Sequence, residues 1–138
     1  MTRSPIEQLL SCIDKLDLEA IVALLAPDCA LLTVDGRRAD GAQECREVLG
    51  QFLGQLRSTS HAITAQWELD GVSLAEVDTA YELQDWLKIE SLPRVFVVRH
   101  GADGITSVHC YGAHEQRLSE HEARRAGIEL GAHWIPAL

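Results

Sequence analysis

Two polar residues interrupt apolar rows in the middle of the chain. His61 falls on the apolar side of the alternating segment 60–69. Asp85 falls on the apolar side of the alternating segment 76–88. A carboxylate that faces an apolar layer is costly unless it is paired or neutralised. A histidine–aspartate pair is therefore the first candidate for chemistry.

The spacing of the two segments predicts that these side chains meet. Asp70-Gly71 is a turn signal, so the segments are expected to be antiparallel neighbours. Counting outward from a turn centred at 71–73 places His61 opposite 83–85. In such a pair the carboxylate orients the imidazole and raises its basicity, so the ring can take a proton near neutral pH. Tyr81, on the same face as Asp85, could donate a hydrogen bond to a developing oxyanion.

Two interpretations of this pair remain open. A buried histidine–aspartate pair that only satisfies itself fits the same residues. Polar groups that converge in an apolar layer are also typical of a small-molecule site. The histidines at 114, 121 and 133 lack a metal-ligand spacing, so no metal is expected. No G-x-S-x-G, G-x-G-x-x-G, Walker A or H-E-x-x-H motif occurs, and no cofactor is predicted.

The elements that must position the pair are helices first and strands afterwards. Ser4-Pro5 and Asp17 are helix starts, and Asp40-Gly41 begins a third helix that extends to Leu56. Strands are predicted over 29–35, 60–69, 76–88, 94–100 and 105–114. Long alternating strands joined by tight turns indicate an antiparallel sheet with one covered face, and hence an α+β fold.

A single domain over 1–138 is expected, with a core over about 5–115 and a C-terminal extension over 116–138. The extension has a helix start at Ser119 and a helix stop at Gly127. Its tail could pack across the open end of the sheet or against a second subunit.

Composition excludes several classes of partner. The chain carries 12 basic and 21 acidic side chains, a net charge of -9, and no basic face for nucleic acid or an anionic membrane. No segment approaches the roughly 20 apolar residues of a membrane span. The four cysteines are scattered, without a C-x-x-C pair, which is typical of reduced core residues and a cytoplasmic protein.

The order of these features resembles the NTF2-like superfamily, and within it the SnoaL-like and ketosteroid-isomerase-like proteins. The segment 17–30, the Asp35-Gly36 turn, Gly41 and Ser60-His61 carry the resemblance. It implies a cone-shaped, curved antiparallel sheet wrapped around the N-terminal helices, a cystatin-like α+β roll. It also implies a deep apolar pocket and a homodimer.

The resemblance transfers some functional residues and not others. The isomerases' oxyanion tyrosine and general-base aspartate would fall at Leu9 and near Thr33, so both are replaced. Of the epoxide hydrolases' two aspartates, one is matched by Asp85 and the other would fall near Cys110. The dehydratases' strand-start histidine is matched by His61, and Asp85 lies close to the position of its polar partner.

Together these features predict a cofactor-independent enzyme for an apolar or polyketide-like small molecule. His61 is the expected general acid or base, Asp85 its orienting residue and Tyr81 a hydrogen-bond donor. Dehydration, cyclisation and isomerisation are the expected reaction types. The alternative is a non-catalytic pocketed dimer that holds a lipophilic ligand or a partner protein. In a third interpretation Trp67, Trp86 or the C-terminal tail fills the pocket.

Overall fold

A computed structural model of the protein describes residues 3–112 and residue 138. The described elements are helices α1 (Pro5–Asp14), α2 (Leu18–Leu24) and α3 (Ala42–Gly54), and strands β1 (Leu25–Leu32), β2 (Arg38–Asp40), β3 (Leu56–Leu69), β4 (Val72–Leu83), β5 (Lys88–Gly101) and β6 (Gly104–Gly112). The predicted extension over 116–138 lies outside the described residues except for Leu138.

The three helices begin where their capping residues predict. The Ser4 hydroxyl accepts a hydrogen bond from Glu7 N at 3.3 Å, and Pro5 takes the first turn of α1. Asp17 caps α2 by accepting from Ala20 N at 3.1 Å. Helices α1 and α3 each turn four apolar side chains into the core. In the part of the chain that the structure describes, no helix is long and apolar enough to cross a membrane.

The strands form one curved, unclosed six-stranded sheet in the order β2-β1-β6-β5-β4-β3. Strands β3 to β6 are antiparallel neighbours joined by tight turns, as the alternating segments predict. The pairing of β1 with β6 is parallel, so the sheet is mixed. This pairing follows from the chain path, since α3 and three long strands separate β1 from β6. The α+β fold with a curved sheet around the N-terminal helices is confirmed.

A bulge in β3 divides the apolar row that was predicted for 60–69. Ile63 pairs with Val77, whereas Ala65 pairs with Glu76, so one extra residue lies in β3 at this point. A shift of one residue moves every later side chain to the opposite face. Trp67 therefore lies on the outer face, 50% exposed, and does not share a face with His61.

Strand β4 ends earlier than predicted. The segment 84–87 is a turn rather than the end of a strand. Asp85 Oδ1 accepts a hydrogen bond from Leu87 N at 3.1 Å, the local bond by which aspartate favours turns. Trp86 has a φ of +73° and is 64% exposed, with the Arg57 guanidinium 3.2 Å above its ring. Neither Trp67 nor Trp86 fills the interior.

The core lies between the helices and the inner face of the sheet. On β5 this inner face carries alternate residues: Leu92, Arg94, Phe96 and Val98. Leu138 is also fully buried in this core.

Gly104 lies at the tightest contact between β6 and the α2–β1 junction. Its φ is +114°, and an added Cβ would lie 2.7 Å from the Leu24 carbonyl oxygen. We expect Gly104→Ala to lower the free energy of unfolding by more than about 1 kcal/mol, because the backbone conformation and the contact both oppose a side chain. Gly54→Ala is the control, because nothing lies within 4 Å of its added Cβ. Urea unfolding of both variants measures the difference, and equal midpoints would contradict the close contact.

Candidate functional site

His61 meets a carboxylate, and that carboxylate is Asp14. The Nδ1 atom of His61 lies 2.5 Å from Asp14 Oδ1, and the backbone N–H of His61 donates to Asp14 Oδ2 at 3.3 Å. The imidazole is 0% exposed, and the Asp14 side chain is 32% exposed. One carboxylate thus holds both the backbone and the ring of His61.

This arrangement selects one imidazole tautomer. A carboxylate can only accept, so Nδ1 carries a hydrogen, and in the neutral imidazole Nε2 presents its lone pair. Among the described residues Nε2 has no hydrogen-bond partner, although it is buried. The ring lies edge-on to Phe96, with centroids 5.9 Å apart. In its neutral form the imidazole is therefore an oriented proton acceptor whose ring packs against Phe96.

The predicted pairing of His61 with Asp85 is wrong. In the observed register Thr79 is the residue opposite His61. Asp85 lies in the exposed β4–β5 turn, where its carboxylate bonds to Leu87 N. The register count failed because the β3–β4 turn is tighter than assumed, with Leu69 paired to Val72, and because the bulge in β3 shifts the register by one further residue.

Asp14 is the last residue of α1, which is an unfavourable position for a negative charge. The C-terminal end of a helix carries a partial negative charge, and an acidic group there costs roughly 0.3–1 kcal/mol. The bonds to His61 offset that cost. The sequence signal for Asp14 was weak, because a charged residue at a helix end is ordinarily solvated.

Tyr81 lies on the same face of β4 as Thr79. It is 2% exposed, and its ring packs edge-on against Phe52 with centroids 5.9 Å apart. Burial raises the pKa of Tyr81 well above its usual value, although the neighbouring Arg94 guanidinium acts in the opposite direction. Tyr81 therefore keeps its proton at neutral pH, and its hydroxyl hydrogen-bonds the Arg94 guanidinium. Its role as a donor to substrate stays a prediction.

Two further inner-face residues were missed by the sequence reasoning. Thr79 is fully buried and Arg94 is 2% exposed; within the described chain, Thr79 Oγ1 and Arg94 Nε have no hydrogen-bond partner. The signal that singled out His61, a polar residue in an apolar row, also applies to Arg94 between Leu92 and Phe96. It was lost because the predicted strand began at residue 94 rather than at Lys88.

The described residues beside the helices pack closely around one small cavity. A cavity of about 10 Å³ remains there, which is room for one water molecule at most. Its apolar lining includes Leu138, which is fully buried. The lining residues are Leu9, Leu25, Cys29, Leu31, Cys45, Leu49, Val108 and Leu138.

The described residues contain no group of three or more histidine, cysteine, aspartate or glutamate side chains placed to hold a metal ion. The histidines at 114, 121 and 133 lie outside those residues. The four cysteines are free.

The raised pKa of Tyr81 has a spectroscopic consequence. The protein has two tyrosines, so the Tyr111→Phe variant retains Tyr81 alone. We expect the 295 nm absorbance of the folded variant to stay flat through about pH 10, where an unperturbed tyrosine ionises. The same variant in urea should titrate near about pH 10. A phenolate signal at that pH from the folded variant would contradict the burial of Tyr81.

Comparisons of the whole chain bear on the fold. No protein-family model and no curated protein matches the sequence. Solved structures do match. A hypothetical protein with a ketosteroid isomerase-like fold from Catenulispora acidiphila DSM 44928, in complex with trimethylamine, has a TM-score of 0.73 at 14% identity. The match covers 99% of this chain and 100% of that one.

Two further neighbours have enzyme names. A candidate SnoaL-like polyketide cyclase from Shewanella denitrificans OS-217 has a TM-score of 0.74 at 7% identity, over 87% of this chain and 94% of that one. An LEH-like epoxide hydrolase from M. tuberculosis has a TM-score of 0.68 at 16% identity, over 88% and 85%. At such identities the likeness concerns the fold alone. This chain therefore has the NTF2-like, ketosteroid-isomerase-like fold that its sequence resembles.

Proposed function

We propose that this protein is a small-molecule enzyme that works by acid–base chemistry at His61, with Asp14 as the orienting carboxylate. The observation that carries the proposal is the buried Nε2 of His61, which is oriented through Nδ1 and has no partner among the described residues. Unsatisfied buried polar atoms are uncommon and often mark functional sites.

The arrangement suits proton transfer to and from carbon or a hydroxyl group. In the forward direction Nε2 takes a proton from a carbon next to a carbonyl group, and the electron pair of the broken C–H bond moves toward the carbonyl oxygen. Asp14 stabilises the imidazolium that forms. The protonated ring can then return the proton to a leaving hydroxyl or to another carbon. Dehydration, cyclisation and isomerisation all use these steps.

Tyr81 supports the same chemistry as a neutral donor. Because burial raises its pKa, its hydroxyl keeps its proton and can stabilise an oxygen on which negative charge develops. Phe96, edge-on to the imidazole, supplies an apolar wall for the substrate. An apolar or polyketide-like substrate fits these surroundings.

A substrate also needs volume. The cavity of about 10 Å³ beside Leu138 is far below the few hundred Å³ of a typical ligand pocket. A ligand that enters this cavity must therefore displace side chains that line it, of which Leu138 is one.

Substitution of the two carboxylates separates this proposal from the predicted Asp85 pair. We expect Asp14→Asn to lower turnover at least tenfold, because the amide no longer selects the Nδ1–H tautomer, and Asp85→Asn to have no comparable effect. His61→Ala should abolish turnover. The assay is a panel of apolar β-hydroxy ketones, followed by the absorbance of the conjugated enone formed as water is lost. Proton exchange next to the carbonyl in deuterated water, followed by NMR, is a second readout.

The outcomes decide between the hypotheses. Turnover that falls in Asp85→Asn and not in Asp14→Asn would contradict the assignment of Asp14. Ligand binding without turnover or proton exchange, unchanged in His61→Ala, would favour the alternative function, a non-catalytic pocketed dimer for a lipophilic ligand or partner protein.

We also propose a cytoplasmic homodimer. Four free cysteines, three of them buried, suit a reducing compartment. On the outer face of the sheet Trp67, Leu74 and Val97 are directly opposite one another, next to exposed Val95 and Tyr111. Apolar surface gathered on one face favours contact with a second copy.

A single charge on this face tests the dimer. We expect the wild-type protein to sediment at about twice the 15.2 kDa chain mass. Val97→Lys should sediment as a monomer, because Leu74 and His109, the residues directly opposite it, offer a buried lysine no carboxylate. Glu47→Gln makes the same change in net charge at an exposed position on α3 and should remain dimeric. A wild-type monomer would contradict the proposal.

A further inference from the structure

Arg94 is a buried charge with little local compensation. The residue is 2% exposed and lies on the inner face of β5. Its Nη1 donates one hydrogen bond, to the Pro93 carbonyl oxygen at 3.1 Å. The guanidinium also hydrogen-bonds the Tyr81 hydroxyl. Of its five donors, Nε is the one shown to be buried without a partner in the described chain.

No carboxylate in the described chain forms an ion pair with Arg94. The ion pairs found there join Asp35 to Arg37, Glu19 to Arg46, Glu82 to Arg57 and Asp14 to His61. Glu76 and Asp78 line a groove of about 680 Å³ together with Arg94, but neither forms an ion pair with it. An unpaired buried charge is strongly unfavourable. A buried cation without an ion-pair partner in the described chain, such as Arg94, is suited to bind an anionic ligand.

The fold also makes room for this side chain. Gly112 is the residue directly opposite Arg94 in the β5–β6 pairing. A Cβ at Gly112 would lie 2.6 Å from Arg94 Nη1 and 2.8 Å from its Cδ. The arginine therefore lies against bare backbone, in a position that any larger residue at 112 would obstruct.

Other inner-face groups complete the surroundings of the guanidinium. Tyr81 and Cys110 are both close enough for its charge to act on them, lowering the pKa of each against the effect of burial. Neither group supplies a negative charge, because burial keeps both protonated and raises the pKa of Cys110 to about 12. Thr79, two residues from Tyr81 on β4, offers a hydroxyl without a partner among the described residues.

We propose that Arg94 binds a carboxylate group of the ligand, so that the substrate is an apolar small molecule bearing a carboxylic acid. The planar guanidinium can donate two parallel N–H bonds to one carboxylate, and the unpartnered Nε of Arg94 is one donor of such a pair. A full negative charge on the ligand compensates the buried cation, which a neutral carbonyl oxygen does only in part. The catalytic consequence rests on the proposed function of His61, whereas anion binding by Arg94 does not.

A matched pair of probes tests this inference. Cyclohexanecarboxylate and cyclohexanecarboxamide have nearly the same shape and differ in charge. We expect the wild-type protein to bind the carboxylate at least tenfold more tightly, measured by isothermal titration at fixed ionic strength. Arg94→Met should abolish that preference, and Arg94→Lys should reduce it severalfold because lysine lacks the planar pair of donors.

The folding of the Arg94 variants is measured separately from their binding, by thermal unfolding without ligand. We expect the thermal midpoint of Arg94→Met without ligand to equal or exceed that of the wild type, because the substitution removes a buried charge that no carboxylate of the described chain pairs. Equal binding of the two probes by the wild-type protein would overturn the inference, whether or not Arg94→Met folds. A preference retained in full by Arg94→Met or Arg94→Lys would overturn it as well.

His61→Ala distinguishes failure of this inference from failure of the proposed function. We expect that variant to keep the preference for the carboxylate probe while losing turnover. Loss of the preference in His61→Ala would assign the anion to the imidazole instead of Arg94. Turnover retained in His61→Ala would contradict the acid–base proposal and leave anion binding by Arg94 intact.

Discussion

The contact between Asp14 and His61 joins the end of α1 to the inner face of the sheet, and the geometry of the candidate site depends on it. One carboxylate receives both the ring and the backbone N–H of His61. Asp14 lies at the C-terminal end of α1, where a negative charge is electrostatically unfavourable, so Asp14 by itself does not stabilise the helix. The apolar packing of α1 on the sheet brings the carboxylate within reach. The orientation of the imidazole is therefore a product of core packing.

The inner face combines a dense apolar core with polar atoms that lack partners in the described chain. His61 Nε2, Thr79 Oγ1 and Arg94 Nε are the atoms used in the two proposals. Each unsatisfied buried group costs roughly 1–3 kcal/mol. Departures from complete polar satisfaction are expected at functional sites, where a ligand supplies the missing bonds. The proposed proton acceptor, His61, and the proposed anion-binding group, Arg94, were both identified by a buried nitrogen without a partner in the described chain.

Sequence periodicity predicted much of the architecture, because caps and apolar spacing act locally. Ser4, Asp17 and Gly41 mark the starts of the three helices, and alternation marks the long strands. The side of the sheet on which each strand residue lies was predicted less well. The bulge in β3 depends on how two strands align, and it moves Trp67 to the opposite side of the sheet from the row that begins at His61. No local pattern in 60–69 distinguishes a bulged strand from a regular one.

The sequence alone was sufficient to identify the fold. It also marked His61 as a candidate site residue, since a polar side chain in an apolar row is visible without coordinates, and the role of Tyr81 stays a prediction. The partner of His61 required the tertiary structure. Asp14 is 47 residues away along the chain and reaches His61 only because α1 packs across the sheet. Asp85 was the nearer choice in the sequence, but a tight β3–β4 turn sets the register, and the carboxylate of Asp85 bonds within its own turn. Strand register and helix docking are long-range properties, and they decided which carboxylate meets the imidazole.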